Sequence, residues 1–158
     1  MLIYKFIGAA LVVLGGWLIG DMLCRRERLR CEQVGSAIEL MRYIRSQINI
    51  YLLPLGEIVL NCDRELVRSC GAERFDVSEN GVIFRGESVI DEALCHSLSE
   101  YFERAGRGDR ASELKLCDHY IAFFDGRYQQ LSRECPRRCR LIMTLCLCGA
   151  AGVALLLL

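Results

Sequence analysis

The apolar residues of this chain are gathered at its two ends and spaced out periodically between them. At the C-terminal end, Leu141–Leu158 carries no charged side chain over eighteen residues. As a helix rising 1.5 Å per residue, such a run reaches about 27 Å, close to the ~30 Å hydrocarbon core of a bilayer. A helix also satisfies its own backbone groups there, and Gly149 and Gly152 do not oppose it, since glycine is tolerated in membrane helices. The competing reading, a buried core helix, would need a larger domain around it than this chain supplies. A transmembrane helix is therefore predicted over residues 141–158.

The N-terminal run, MLIYKFIGAALVVLGGWLIGDML, is less uniform. Phe6–Gly20 is uncharged but short for a span. Leu2–Leu23 is long enough if Lys5 and Asp21 sit at the two interfaces, where Lys5 can snorkel and Tyr4 and Trp17 are favoured. The alternative is a secretory signal peptide with Lys5 in its n-region and Phe6–Leu18 as its apolar stretch; no small-x-small cleavage site comes after it. The pattern predicts a second transmembrane helix over residues 1–23.

Between the spans, residues 24–140 read as one helix-rich domain. Val34, Ala37, Met41, Ile44, Ile48, Tyr51 and Leu55 alternate steps of three and four, the seam of a packing helix, with Glu39, Arg42 and Arg45 off it. Pro54 should end or kink this helix near Leu53 and can open the next. A second amphipathic helix, Pro54–Ser69, carries Leu55, Ile58, Val59, Leu66 and Val67, and Gly71 is placed to stop it. Ala72–Glu87 is ambiguous. VSENGVIF has the look of a hairpin turning at Asn80-Gly81, but a lone hairpin is marginal without a sheet to join, so a loop or short helix competes. Ser88 and Asp91 suggest a capping box for a helix running through Leu94, Leu98 and Phe102 to Gly106. Gly106–Asp109 reads as a turn whose aspartate can cap the helix after it. That helix repeats the three-four pattern through Leu114, Cys117, Ile121, Phe124, Tyr128, Leu131 and Cys135, and Pro136 should separate it from the last span. Two long seams of this kind pair, and shorter helices complete a bundle. The predicted fold is all-α: a small antiparallel helical bundle between an N-terminal and a C-terminal transmembrane helix.

Charge adds orientation. RRERLR, Arg25–Arg30, follows the first span, and Arg133, Arg137, Arg138 and Arg140 precede the second. Arginine holds loops on the cytoplasmic side, so both flanks put the central domain in the cytoplasm and both termini outside. Zero formal net charge gives no reason to expect nucleic acid. The ten cysteines include Cys146 and Cys148 inside a span and Cys117 on a helical seam, and none forms a CxxC pair of zinc-like spacing with a partner. They read as reduced apolar fillers rather than a metal site. No phosphate-binding glycine loop, catalytic triad motif or HExxH occurs. No enzyme activity, catalytic residue, cofactor or metal is expected.

Several stretches together carry a family likeness: KFIGAALVVLGGWLIG at Lys5–Gly20, ELMRYIRSQINIYLLPLGEI at Glu39–Ile58, YFERAGRGDRASEL at Tyr101–Leu114, and the basic-then-apolar terminus. Ile50-Tyr51 followed by Pro54-Leu55 is the most diagnostic element. In their order and spacing, over nearly the full length, these resemble the stage III sporulation protein AB family of endospore-forming bacteria. LIMTLCLC in the last span and Ala72–Glu87 depart from its pattern. The resemblance implies a mother-cell protein in an assembly that joins mother cell and forespore. It also implies a helical domain similar to the cytoplasmic domains of type II secretion and pilus platform proteins. The partners it implies are the bilayer, a cytoplasmic ATPase of the stage III sporulation protein AA type, and membrane ring components; self-association is compatible with that role. The expected function is a platform scaffold coupling the ATPase to the membrane. The competing classes are a membrane-tethered enzyme, a signal-cleaved, tail-anchored domain in the intermembrane space, and an unrelated two-span adaptor. If the two long helices pair antiparallel, the turns near Tyr51–Gly56 and Gly106–Asp109 share one end of the domain. There Arg104, Arg107 and Arg110 form a basic group and the candidate partner contact, against the reading of a merely solvated turn.

Overall fold

The computed structural model describes residues 2–51, 53–72, 74–78, 81–85 and 91–157. In chain order these form α1 (Leu2–Tyr51), α2 (Leu55–Leu60), α3 (Arg64–Ser69), β1 (Arg74–Ser78), β2 (Gly81–Arg85), α4 (Glu92–Arg104) and α5 (Arg110–Leu157). The fold is helical, as its periodicity requires, with one small antiparallel hairpin. Contacts divide it into two compact units, residues 1–29 with 131–158, and residues 30–130.

The first unit is the two apolar runs laid antiparallel. Gly16 and Gly20 let the backbones approach: a Cβ on Gly16 would lie 2.5 Å from the Cβ of Ala150, and one on Gly20 would lie 2.7 Å from the Met143 sulfur. Ala150 and, one turn on, Ala154 are buried. Small residues at the crossing, not large ones, are how helices pack where lipid gives no hydrophobic drive. The large side chains Leu11, Leu18, Met22, Leu145 and Leu155 point outward and stay exposed. Little of either apolar stretch is buried inside the protein, and both helices are long and apolar enough to cross a membrane. The core-helix alternative for the terminal run fails on that exposure.

The expected break at Pro136 is absent: α5 continues through it, as α1 continues through the first arginine cluster. CRRERLRCEQ holds no helix breaker, and most of its residues are good helix formers. Pro136 removes one backbone hydrogen bond, but lies exposed with packed residues on either side, buried Leu131 and half-buried Cys139.

In the second unit α1 and α5 again run antiparallel, tied at the surface by Arg45–Asp118 at 2.6 Å and Arg42–Asp125 at 3.5 Å. Val34, Ala37, Met41, Ile44 and Ile48 are buried as their spacing predicts, and Leu55 is buried from α2. Tyr51 is not part of this seam; it stands 63% exposed at the end of α1. On α5 the buried stripe is Glu113, Cys117, Tyr120, Phe124 and Leu131, with Ile121 only half-buried and Tyr128 exposed. This stripe and the predicted one share Cys117, Phe124 and Leu131 and differ by one residue between them. Both satisfy the three-four alternation once half-buried Arg127 is counted in the observed one.

The predicted helix Pro54–Ser69 is two short helices. Asn61 caps the end of α2, and the Asp63 carboxylate accepts the Glu65 amide to start α3, so the local side chains break the helix between them. Gly71, at φ +81°, ends α3 as expected. Of the readings open for Ala72–Glu87, the hairpin is the one formed, pairing Phe75 with Phe84 and Val77 with Val82. Its marginal stability is relieved by an aromatic cluster: Phe75 lies 5.0 Å and Phe84 6.0 Å from Phe102 on α4, centroid to centroid. Asn80 lies outside the described residues, as does Ser88 of the expected capping box; α4 is capped by Asp91, which accepts the Ala93 amide at 3.1 Å.

Candidate interaction surface

The corner between α4 and α5 is built by its own sequence. Gly106 takes φ +84°, a conformation L side chains rarely adopt. Glu113, buried one turn into α5, reaches back to accept the amides of Gly106 at 2.9 Å and Gly108 at 3.0 Å through one carboxylate oxygen. Asp109 precedes α5 and accepts the Ser112 hydroxyl. That bond and the helix-start amides of Ala111 and Ser112 hold its carboxyl below the ordinary range. The expected cap is present.

The corner meets the end of α1, as the antiparallel pairing requires. Arg110 donates from Nη2 to the Asn49 backbone carbonyl at 2.6 Å and to Asn49 Oδ1 at 2.9 Å. Carbonyls in the last turn of a helix lack intrahelical donors, and a cation there also offsets the negative dipole end. Between the two turns lies an open groove of about 210 Å³, its walls Ile48, Leu53, Pro54 and Leu55, its polar edge Arg110 and Glu113. Ile50 and Tyr51 are exposed in the last turn of α1.

The three arginines singled out from the sequence belong to this corner with unequal commitments. Arg104 is exposed and paired with Glu100 at 2.8 Å. Arg110 is engaged by Asn49. Arg107 is exposed and makes no ion pair among the described residues.

Sequence reasoning missed a second charged group. Asp91 is 2% exposed and receives both Arg30 of α1, Nε at 3.1 Å, and Arg127 of α5, Nη2 at 3.2 Å. Burial pushes this carboxyl up, but the two guanidiniums outweigh it and hold it below the ordinary range. One carboxylate thus caps α4 and ties it to both long helices. A signal existed: Arg127 lies three residues after Phe124 and four before Leu131, on the true buried stripe.

The buried cysteines are packing groups. All ten are free, with Cys24, Cys62, Cys70 and Cys117 buried. Burial pushes the Cys70 thiol up to about 12, and Cys117 sits 3.3 Å from the Tyr101 hydroxyl in the core. Thiols so placed are poor nucleophiles. Among the described residues no three His, Cys, Asp or Glu side chains converge as metal ligands.

Residues 5–80 match the model of the family described as stage III sporulation protein AB. Over those residues, a little under half of its length, the chain is similar to the stage III sporulation protein AB family. The match runs from the first apolar stretch through α1, α2, α3 and β1, and so enters the segment Ala72–Glu87, which departs from the family pattern as read in the sequence. The likenesses at Tyr101–Leu114 and at the terminus lie beyond it. Neither the curated proteins nor the solved structures return a match. That likeness supports a role in stage III of sporulation, and the two long apolar helices fit a membrane location.

Proposed function

We propose that this chain is a two-span membrane scaffold that couples a cytoplasmic ATPase of the stage III sporulation protein AA type to membrane components of the same assembly. In this reading residues 30–130 face the mother-cell cytoplasm and act by binding, without catalysis of their own. The observation that carries the reading is the pairing of two apolar spans with arginine clusters on their inner flanks, Arg25–Arg30 and Arg133–Arg140, in a chain similar to a stage III family. Both crossings then return residues 30–130 to one face of the membrane. Within that unit, the Gly106–Asp109 corner lies at the opposite end from residues 30 and 130, and offers Arg104 and Arg107 to an acidic surface.

The test is co-purification of the ATPase with the full chain from detergent extracts of sporulating cells. Arg104→Glu with Arg107→Glu should lower the ATPase recovered about tenfold, the effect of roughly 1.4 kcal/mol of lost contact, while the melting temperature of the chain is kept. Arg110 is left intact because it holds the end of α1. Full recovery with the double reversal, in a folded chain, would move the contact off this corner.

A further inference from the structure

The break between α2 and α3 opens a second groove in the central unit, lined by none of the residues of the first. Val59 and Leu60 end α2, Val67 lies on α3 and Phe75 on β1; together with Arg64 and Arg68 they line an open volume of about 360 Å³. Its floor is firm. Val59 and Val67 are buried, and Phe75 is stacked into the aromatic cluster with Phe84 and Phe102 at 5.9 and 5.0 Å. Its rim is not satisfied. Leu60 is 69% exposed. Arg64 and Arg68 are four residues apart on one helix, where like charges repel. Both are exposed, and neither makes an ion pair among the described residues. Asp63, whose carboxylate accepts the Glu65 amide at 2.9 Å, makes no ion pair with either among the described residues.

A groove with an apolar floor and two unpaired guanidiniums on its rim calls for a ligand with the opposite arrangement. Burial of an apolar side chain supplies the anchor, and complementary charge sets approach and register. The volume lies at the low end of pockets that enclose small molecules, about 300–1,000 Å³, and it is open along one side. That shape suits side chains from a segment laid across it. We infer that the groove of Leu60, Val67 and Phe75, rimmed by Arg64 and Arg68, docks an acidic amphipathic segment of another protein. An apolar residue of that segment seats against Leu60 and Phe75, and flanking carboxylates reach the two arginines. The inference stands apart from the ATPase contact at the Gly106–Asp109 corner and from the identity of the partner there.

The probe is a short fluorescein-labelled peptide of Glu and Leu, with leucines at helical spacing, offered to the full chain in lipid nanodiscs. Anisotropy should show binding to the native chain and about tenfold weaker binding to Arg64→Glu/Arg68→Glu. The same peptide with Lys in place of Glu should show the reverse preference. Arg64→Gln/Arg68→Gln, which removes charge without adding any, should bind both peptides weakly and guards against a reversal that unfolds α3. Equal binding of the Glu/Leu peptide to native and reversed chains, or equal binding to empty discs, would overturn the proposal. So would a native chain that dimerises, ignores the peptide and becomes monomeric on reversal, since the groove would then belong to a second copy.

Discussion

Asp91 is the residue on which most of the central unit converges, because its single carboxylate caps α4 and receives Arg30 and Arg127. Removing one partner of a buried ion pair costs about 3–5 kcal/mol; with the two guanidiniums partly open to solvent, Asp91→Asn should cost about 3 kcal/mol. The folded carboxyl titrates below its unfolded value, so its stabilisation is complete above the ordinary aspartate range near 3.9 and is lost as pH falls through the lowered folded value. Thermal melts of the native chain and of the Asp91→Asn variant should therefore converge in acid below about pH 4; curves that keep a constant separation there would deny Asp91 this role. A second residue-level contrast lies on α5. Phe124 is fully buried, whereas Ile121 is only half-buried beside the stripe. Phe124→Asp should unfold the central unit, since an unpaired buried charge costs several kcal/mol. Ile121→Asp should lower the melting temperature and leave a folded chain, because the carboxylate can turn to water. Equal losses at both positions would restore the stripe read from the sequence.

At the scale of elements, the helices were legible wherever short-range periodicity alone decides them. Val34 to Ile48, Leu94 with Leu98, and both apolar runs are buried or exposed as their spacing requires. What was not legible closes over long sequence separations or depends on polar side chains. Glu113 and Arg127 interrupt the apolar pattern of α5, so the eye settles on the neighbouring positions and rotates the helix by one residue. Arg30 and Asp91 are 61 residues apart and each looks like a solvated charge until α4 is docked. Of the candidate contact, the turn and its arginines were visible in the sequence; the tie from Arg110 to Asn49, which separates a structural arginine from its neighbours, was not. The crossing of the two apolar helices yields its own test. Gly16 faces Ala150 too closely for any side chain, while Gly15, next to it, faces open space. Gly16→Leu should lower the melting temperature of the chain in detergent micelles by overpacking worth about 1–3 kcal/mol, and Gly15→Leu should leave it within a degree or so. The opposite order would mean that the helices cross on another face.

For the whole molecule the decisive quantity is the side of the membrane on which residues 30–130 lie. The charge rule acts on arginines close to each crossing, and both clusters meet that condition, one on each flank of the central residues. An exported arrangement would have to carry both clusters across the bilayer, with each arginine at the centre of a span costing about 2.5–3.5 kcal/mol on insertion scales. The native cysteines report this poorly. Cys62 and Cys70 are 8% and 0% exposed, so an impermeant thiol reagent would miss them on either side. Lys115 is exposed on α5 within the central unit and makes no ion pair among the described residues, so Lys115→Cys is a better reporter. In sporulating cells this variant should take up an impermeant maleimide only after the mother-cell membrane is opened, above the background of the native chain. Efficient labelling of intact cells would place the unit outside the cytoplasm and favour the signal-cleaved, tail-anchored alternative. The mass of the chain recovered from the membrane then separates the two cases, since cleavage after the first apolar run removes its residues and the two-span arrangement keeps them.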